Sequence, residues 1–140
     1  MRTTTIQRHP DLTAVARIAF ATIVLALAGA ATAQEVKRTE LKKADLTGTN
    51  MEILVAVMEI PPGAMVPRHT HKGEEVMRVL EGATVQTLEG KKEIRLEPET
   101  TSIFPRDVPH GGFKVVGETS LKLLTVHILD KGSPFSVPAR

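Results

Sequence analysis

The chain contains no cysteine, tryptophan or tyrosine in its 140 residues, and only four phenylalanines. Without cysteine there can be neither a disulfide framework nor a thiolate metal site. So few aromatic rings leave no platform on which bases could stack. There is also no basic run to track a phosphate backbone, which excludes nucleic acid as the main partner. No apolar stretch reaches the roughly 20 residues that a membrane-spanning helix needs. The length suits one domain with one modest hydrophobic core.

The first thirty-three residues differ from the rest. "MRTTTIQRHPDLTAVAR" is basic, Ile18 to Ala30 is apolar, and Ala31-Thr32-Ala33 has a small-x-small pattern. That order describes a secretory signal peptide over 1–33. Its long basic start is of bacterial type. The expected mature chain begins at Gln34, is exported to the periplasm or secreted, and keeps no stable membrane anchor after cleavage. Three of the 18 Lys+Arg and one of the 16 Asp+Glu precede Gln34, so the remainder balances at 15 against 15. The formal net charge of +2 therefore belongs to the leader.

The mature part lacks helical periodicity. "MEILVAVMEI" is an apolar, β-branched run stopped by Pro61-Pro62-Gly63. "VMRVLEGATVQTLEGKKEIRLE" holds three short runs divided at Glu81-Gly82 and Glu89-Gly90, and "SLKLLTVHIL" is a last apolar run. Short strands with turn signals every eight to twelve residues predict an all-β sandwich or barrel. Residues 34–50 read as an N-terminal arm and 51–130 as the barrel. The tail "KGSPFSVPAR", 131–140, reads as an extended strap over the surface.

Histidine is scarce, with five in all, yet His69 and His71 stand one residue apart. On a strand, positions i and i+2 share a face, so two imidazoles there make a bidentate metal platform. Neutral imidazole suits zinc, copper, iron and nickel, and carboxylate suits manganese. Lys72-Gly73 is expected to turn the chain so that the next strand carries in a carboxylate, from Glu74 or Glu75. Gly63 and Gly82 are expected in turns that need unusual backbone angles.

From Gly63 to Gly82 the pattern is Gly63, five residues, His69, one, His71, three, Glu75, six, Gly82. This resembles the first motif of the cupin superfamily with every fixed position filled. The second motif is partial in "PRDVPH": Pro105 and His110 are present. Asp107 and Glu99 stand where glycines are usual, and Lys114 stands where asparagine is usual. The resemblance covers roughly Met51 to Leu129 and implies a small antiparallel β-barrel, a double-sheet jelly roll, with a metal inside. It implies the ligands His69, His71, Glu75 and His110, and one divalent transition metal among Fe, Mn, Ni, Cu and Zn. Glu74 is then the solvated alternative.

Met65, Met77 and Val79 have the alternation to line the barrel near the metal, or simply to pack its core. Arg68 and Arg106 flank the ligand segments and are candidates for meeting an anionic substrate, the commoner role of such arginines being a solvated rim. His127 shares a face with Leu123, Thr125 and Leu129 and reads as a core or rim histidine rather than a fifth ligand. Cupins include dioxygenases, decarboxylases, isomerases and plain binding proteins, and fold does not select among them. The resemblance implies a metal-dependent enzyme of oxidoreductase or lyase type on a small oxygenated molecule, or a non-catalytic binder of metal or small ligand. Strands apolar on both faces imply a homodimer, as is common in the family.

Overall fold

The computed structural model describes residues 34–140; the expected leader, 1–33, lies outside them. Eleven β-strands follow in order: β1 (Lys37–Leu46), β2 (Met51–Ile60), β3 (Met65–Val66), β4 (His69–Thr70), β5 (Gly73–Glu81), β6 (Ala83–Thr87), β7 (Glu93–Leu96), β8 (Thr101–Phe104), β9 (Phe113–Val116), β10 (Leu121–Asp130) and β11 (Val137–Pro138). They form a five-stranded sheet in the order β1-β2-β10-β5-β8, a four-stranded sheet β3-β9-β6-β7 and a small pair β11-β4. Every pairing is antiparallel. The expected all-β double-sheet jelly roll is the fold. Among the described residues no helix is long and apolar enough to cross a membrane.

Period-two alternation builds the core. Along β10, Leu121, Leu123, Thr125, His127 and Leu129 are buried, whereas the residues between them are partly exposed. Ile60, Val79, Val85, Val115 and Leu121 meet between the sheets. Burying a side chain of this size contributes about 1.5–3 kcal/mol. The outward face of the five-stranded sheet is also aliphatic: Val55, Val126, Val76 and Ile103 lie in one row across β2, β10, β5 and β8. Ile103 is 67% exposed. Residues 37–46 form edge strand β1, whose lysines and exposed side chains suit a sheet edge.

Two turns differ from expectation. The histidine segment and β5 do not form a hairpin. Strand β4 pairs with β11 at the far end of the chain, whereas β5 pairs with β10 and β8. The chain bends at Lys72 and passes between sheets. Gly73 is needed there because a Cβ would lie 1.8 Å from the Ile128 carbonyl oxygen. Gly63 does take a left-handed φ of 83°. It follows Pro62 in a turn closed by the Ala64 N–H on the Pro61 carbonyl at 3.0 Å, as a type II turn requires. Gly82 has no such φ. It is needed because a Cβ would come 2.4 Å from the Leu96 carbonyl oxygen.

Candidate metal centre

His69, His71, Glu75 and His110 reach one point from four places. Strand β4 carries His69, the bend after it carries His71, and β5 carries Glu75. His110 arrives on the loop before β9, tied to His69 by reciprocal backbone bonds of 3.0 and 2.9 Å. One potential ligand atom from each of the four lies within 4.8 Å of the others. The partial second motif keeps its backbone course without its glycines: Glu99 and Asp107 take φ of 72° and 58°. Asp is among the few non-glycine residues that tolerate this region. Gly111 has a φ of 75°, and a Cβ on it would press within 3.0 Å of His69 Nδ1.

Hydrogen bonding assigns the protons. His69 Nδ1 lies 2.8 Å from the Pro67 carbonyl, His110 Nδ1 2.9 Å from the Val108 carbonyl and His71 Nδ1 2.5 Å from the Phe135 carbonyl. A carbonyl oxygen only accepts, so each Nδ1 carries its proton and each neutral ring keeps a lone pair on Nε2. His71 Nε2 and His110 Nε2 both point at Glu75 Oε2, at 3.1 and 2.9 Å. Lone pairs facing a carboxylate oxygen repel, and the contact becomes favourable only with a proton or a metal cation among them. The donor set therefore fits a metal ion, with backbone carbonyls orienting the ligand rings as metal-bound histidines commonly require.

The electrostatics agree. Burial alone would raise the Glu75 carboxyl, but its contacts with His110 and His71 outweigh that and hold it below the usual carboxylate range. Burial lowers His69. His110 is desolvated too, yet Glu75 and the Val108 carbonyl raise it. His127 is pushed down to about 4, chiefly by burial, so its ring is neutral near pH 7.

These groups open into a cavity of about 100 Å³ with a mainly apolar wall that includes Met58, Ile60, Val66, Met77 and Leu96. The three phenylalanines of the described residues, Phe104, Phe113 and Phe135, all line it. Phe104 stacks on His110 with centroids 4.3 Å apart and planes 9° apart. His127 is a wall residue, 1% exposed, with Nε2 3.6 Å from Glu75 Oε1 and neither ring nitrogen hydrogen-bonded.

Of the expected pocket residues, Met77 lines the cavity. Met65 does not: it is 52% exposed and borders an outer depression, because two-residue β3 turns it outward. Val79 sits one alternation deeper, in the closed core. Arg106 does not face the cavity, because Asp130 holds both its terminal nitrogens at 2.6 and 2.7 Å. Arg68 lies on the outer depression, with Nη1 3.5 Å from Glu89. Glu74 points to the outer side of β5. Phe104 and Phe135 were not singled out from the sequence. Their signal was available: in an aromatic-poor chain, the few rings mark one place.

The cupin-domain family pattern matches residues 56–127, just over half the chain. No curated protein matches. Among solved structures, the DMSP lyase DddQ from Ruegeria pomeroyi DSS-3 is similar at 22% identity and TM-score 0.58. That match covers 79% of this chain but only 55% of the lyase. The polyketide cyclase RemF from Streptomyces resistomycificus is similar at 24% identity and TM-score 0.54, over 76% of this chain and 74% of that one. A double-stranded β-helix protein from Klebsiella pneumoniae is similar at 18% and 0.54, over 76% and 86%. These likenesses establish the fold alone. The family match, which runs from β2 to His127 and takes in all four clustered residues, makes the chain a member of the cupin family.

Proposed function

We propose that this cupin binds one divalent transition metal through His69, His71, Glu75 and His110 and acts with it as an enzyme on a small oxygenated molecule. The observation that carries the reading is the three imidazoles, each with Nδ1 donated to a backbone carbonyl, gathered around one buried carboxylate. A metal bound there would supply Lewis acidity toward a carbonyl, carboxylate or enolate oxygen, or activation of dioxygen. Cu and Zn lead in affinity, whereas cupins often use Fe or Mn.

The chain's own residues do the rest. The apolar wall excludes water and suits a ligand of a few carbons. His127 offers the cavity one donor and one acceptor, both without protein partners. This spare buried imidazole favours the enzyme reading over a site that only stores metal, because it awaits a polar group of the ligand. Two similar structures are named as a lyase and a cyclase, and a lyase or oxidoreductase class accords with such a cavity. Turnover, or oxygen uptake, by the metal-loaded protein with a panel of small hydroxy, oxo and carboxylic acids tests this. Tight binding without turnover across the panel would leave the non-catalytic binder.

The same proposal places the protein outside the cytoplasm as a homodimer, its mature chain starting at Gln34 and its partner covering the aliphatic row Val55, Val126, Val76 and Ile103. Mass spectrometry of the exported protein under native and denaturing conditions is expected to give a chain beginning at Gln34 and a dimeric assembly. A chain still carrying Ile18 to Ala30 would defeat the export reading. A monomer at micromolar concentration would defeat the dimer.

A further inference from the structure

Two of the three imidazole-orienting bonds are local. Pro67 precedes His69 by two residues, and Val108 precedes His110 by two. Each forms as its own loop forms. The third is not local: the carbonyl that holds His71 belongs to Phe135, 64 residues away in the C-terminal tail. His71 is also among the most buried side chains in the molecule, at 1% exposure. Its lone-pair direction therefore depends on the last residues of the chain.

The tail is fastened at several points. Val137 and Pro138 pair with Thr70 and His69, and the Ala139 N–H donates to the Arg68 carbonyl at 3.0 Å. The tail thus grips the same short segment that carries two of the histidines. The Phe135 ring lies 4.5 Å from the His127 ring and 5.3 Å from that of His71. On the ring's other contact, the Arg38 guanidinium carbon stands 4.0 Å from the centroid. A cation over an aromatic face is attracted by the ring's negative face, so this contact helps to hold the ring in place. Phe135 borders both the inner cavity and the outer depression, so its ring is a wall between the two.

We propose that the C-terminal strap is a working part of the metal centre, with Phe135 as its positioning residue: its backbone carbonyl keeps the His71 proton on Nδ1, so that Nε2 is free to ligate, and its ring closes the cavity. This rests on the metal reading above. An imidazole without that carbonyl divides between its two tautomers, and the Nε2–H form cannot ligate through Nε2, the atom that faces the site. Losing an orienting partner of a metal ligand typically costs 10–100-fold in affinity.

The test compares the chain from Gln34 to Arg140 with one ending at Gly132, in two measurements. Nitrogen-15 NMR of histidine-labelled, metal-free protein at pH 9 reads each ring's tautomer. Competition with a chromogenic chelator reads Zn(II) affinity. In the full chain, His69, His71 and His110 are expected as Nδ1–H tautomers. In the shortened chain, His71 alone becomes a mixture, and Zn(II) binding weakens about 10–100-fold. Phe135→Gly, which loosens the carbonyl's anchor at full length, moves both readouts the same way by less, and carries the test if the shortened chain does not fold. An unchanged His71 tautomer with Zn(II) affinity within about twofold would overturn the proposal. The tautomer measurement needs no metal, so a full chain that failed to bind Zn(II) would remove the metal reading while the strap's hold on His71 was still decided.

Discussion

Replacing His71 by alanine is expected to weaken binding of a divalent metal by more than about 100-fold, beyond the 10–100-fold that losing an orienting partner costs. The side chain is fully buried, its Nδ1 is committed to a carbonyl, and its Nε2 faces the carboxylate that His110 also faces. Alanine removes one of four converging ligands and puts a void in its place. His69→Ala is expected to act alike. His127→Ala is the informative contrast. That ring touches Glu75 only at 3.6 Å and lies outside the four-residue cluster. Its loss should change metal affinity by less than about tenfold, below the upper range for an orienting partner. Competition titrations on the three variants, with circular dichroism to check folding, measure this. Equal losses at all three positions would mean that the ligand set is wrong.

Stripping the metal is expected to lower the melting temperature on the order of 15 °C or more. A ligand held at about 1,000 times its dissociation constant stabilises the folded state by about 4 kcal/mol. In a domain near 100 residues, each kcal/mol shifts the midpoint by about 4–8 °C. The effect has a pH sign. Ligation needs unprotonated Nε2 atoms, so protons compete with the metal. His110, whose proton affinity Glu75 and the Val108 carbonyl raise against the effect of burial, takes up its proton at higher pH than an ordinary histidine. Protonated His110 pairs with Glu75 and stabilises the metal-free fold, a gain present at low pH and lost as pH rises through the raised value. The difference between metal-loaded and metal-free melting temperatures should therefore shrink as pH falls from 8 to 5. Thermal melts with and without chelator across that range test this, with the His69→Ala/His71→Ala double variant as the control expected to ignore chelator. A difference that grew on acidification would contradict the ligand assignment.

What the sequence disclosed follows from what is local. The first motif lies in one uninterrupted stretch, Gly63 to Gly82, so its spacing reads directly and its three site residues do converge. The strands followed from period-two alternation, and β10 keeps that alternation over its whole length. The misreadings concern long-range partners. Nothing in Thr70-His71-Lys72-Gly73 tells that β4 will pair with residues 137–138 rather than turn back on β5. Arg106 adjoins the His110 segment in sequence, but its partner Asp130 is 24 residues off and holds it elsewhere. Met65 and Met77 look alike in an alternation pattern, yet they sit on separate strands, and only Met77 faces inward. Phe135 is legible only as one of the few rings of an aromatic-poor chain: the Gly-, Ser- and Pro-containing tail has no periodicity, so nothing in it shows that the Phe135 carbonyl reaches His71, 64 residues away.

Elemental analysis of the protein purified from its native source without added metal, and referred to chain concentration, tests the central claim most directly. The account predicts one divalent transition metal per chain in the wild type and essentially none in the His69→Ala/His71→Ala variant prepared in parallel. A folded wild type with no transition metal, and no uptake when Fe, Mn, Ni, Cu or Zn is offered, would contradict it.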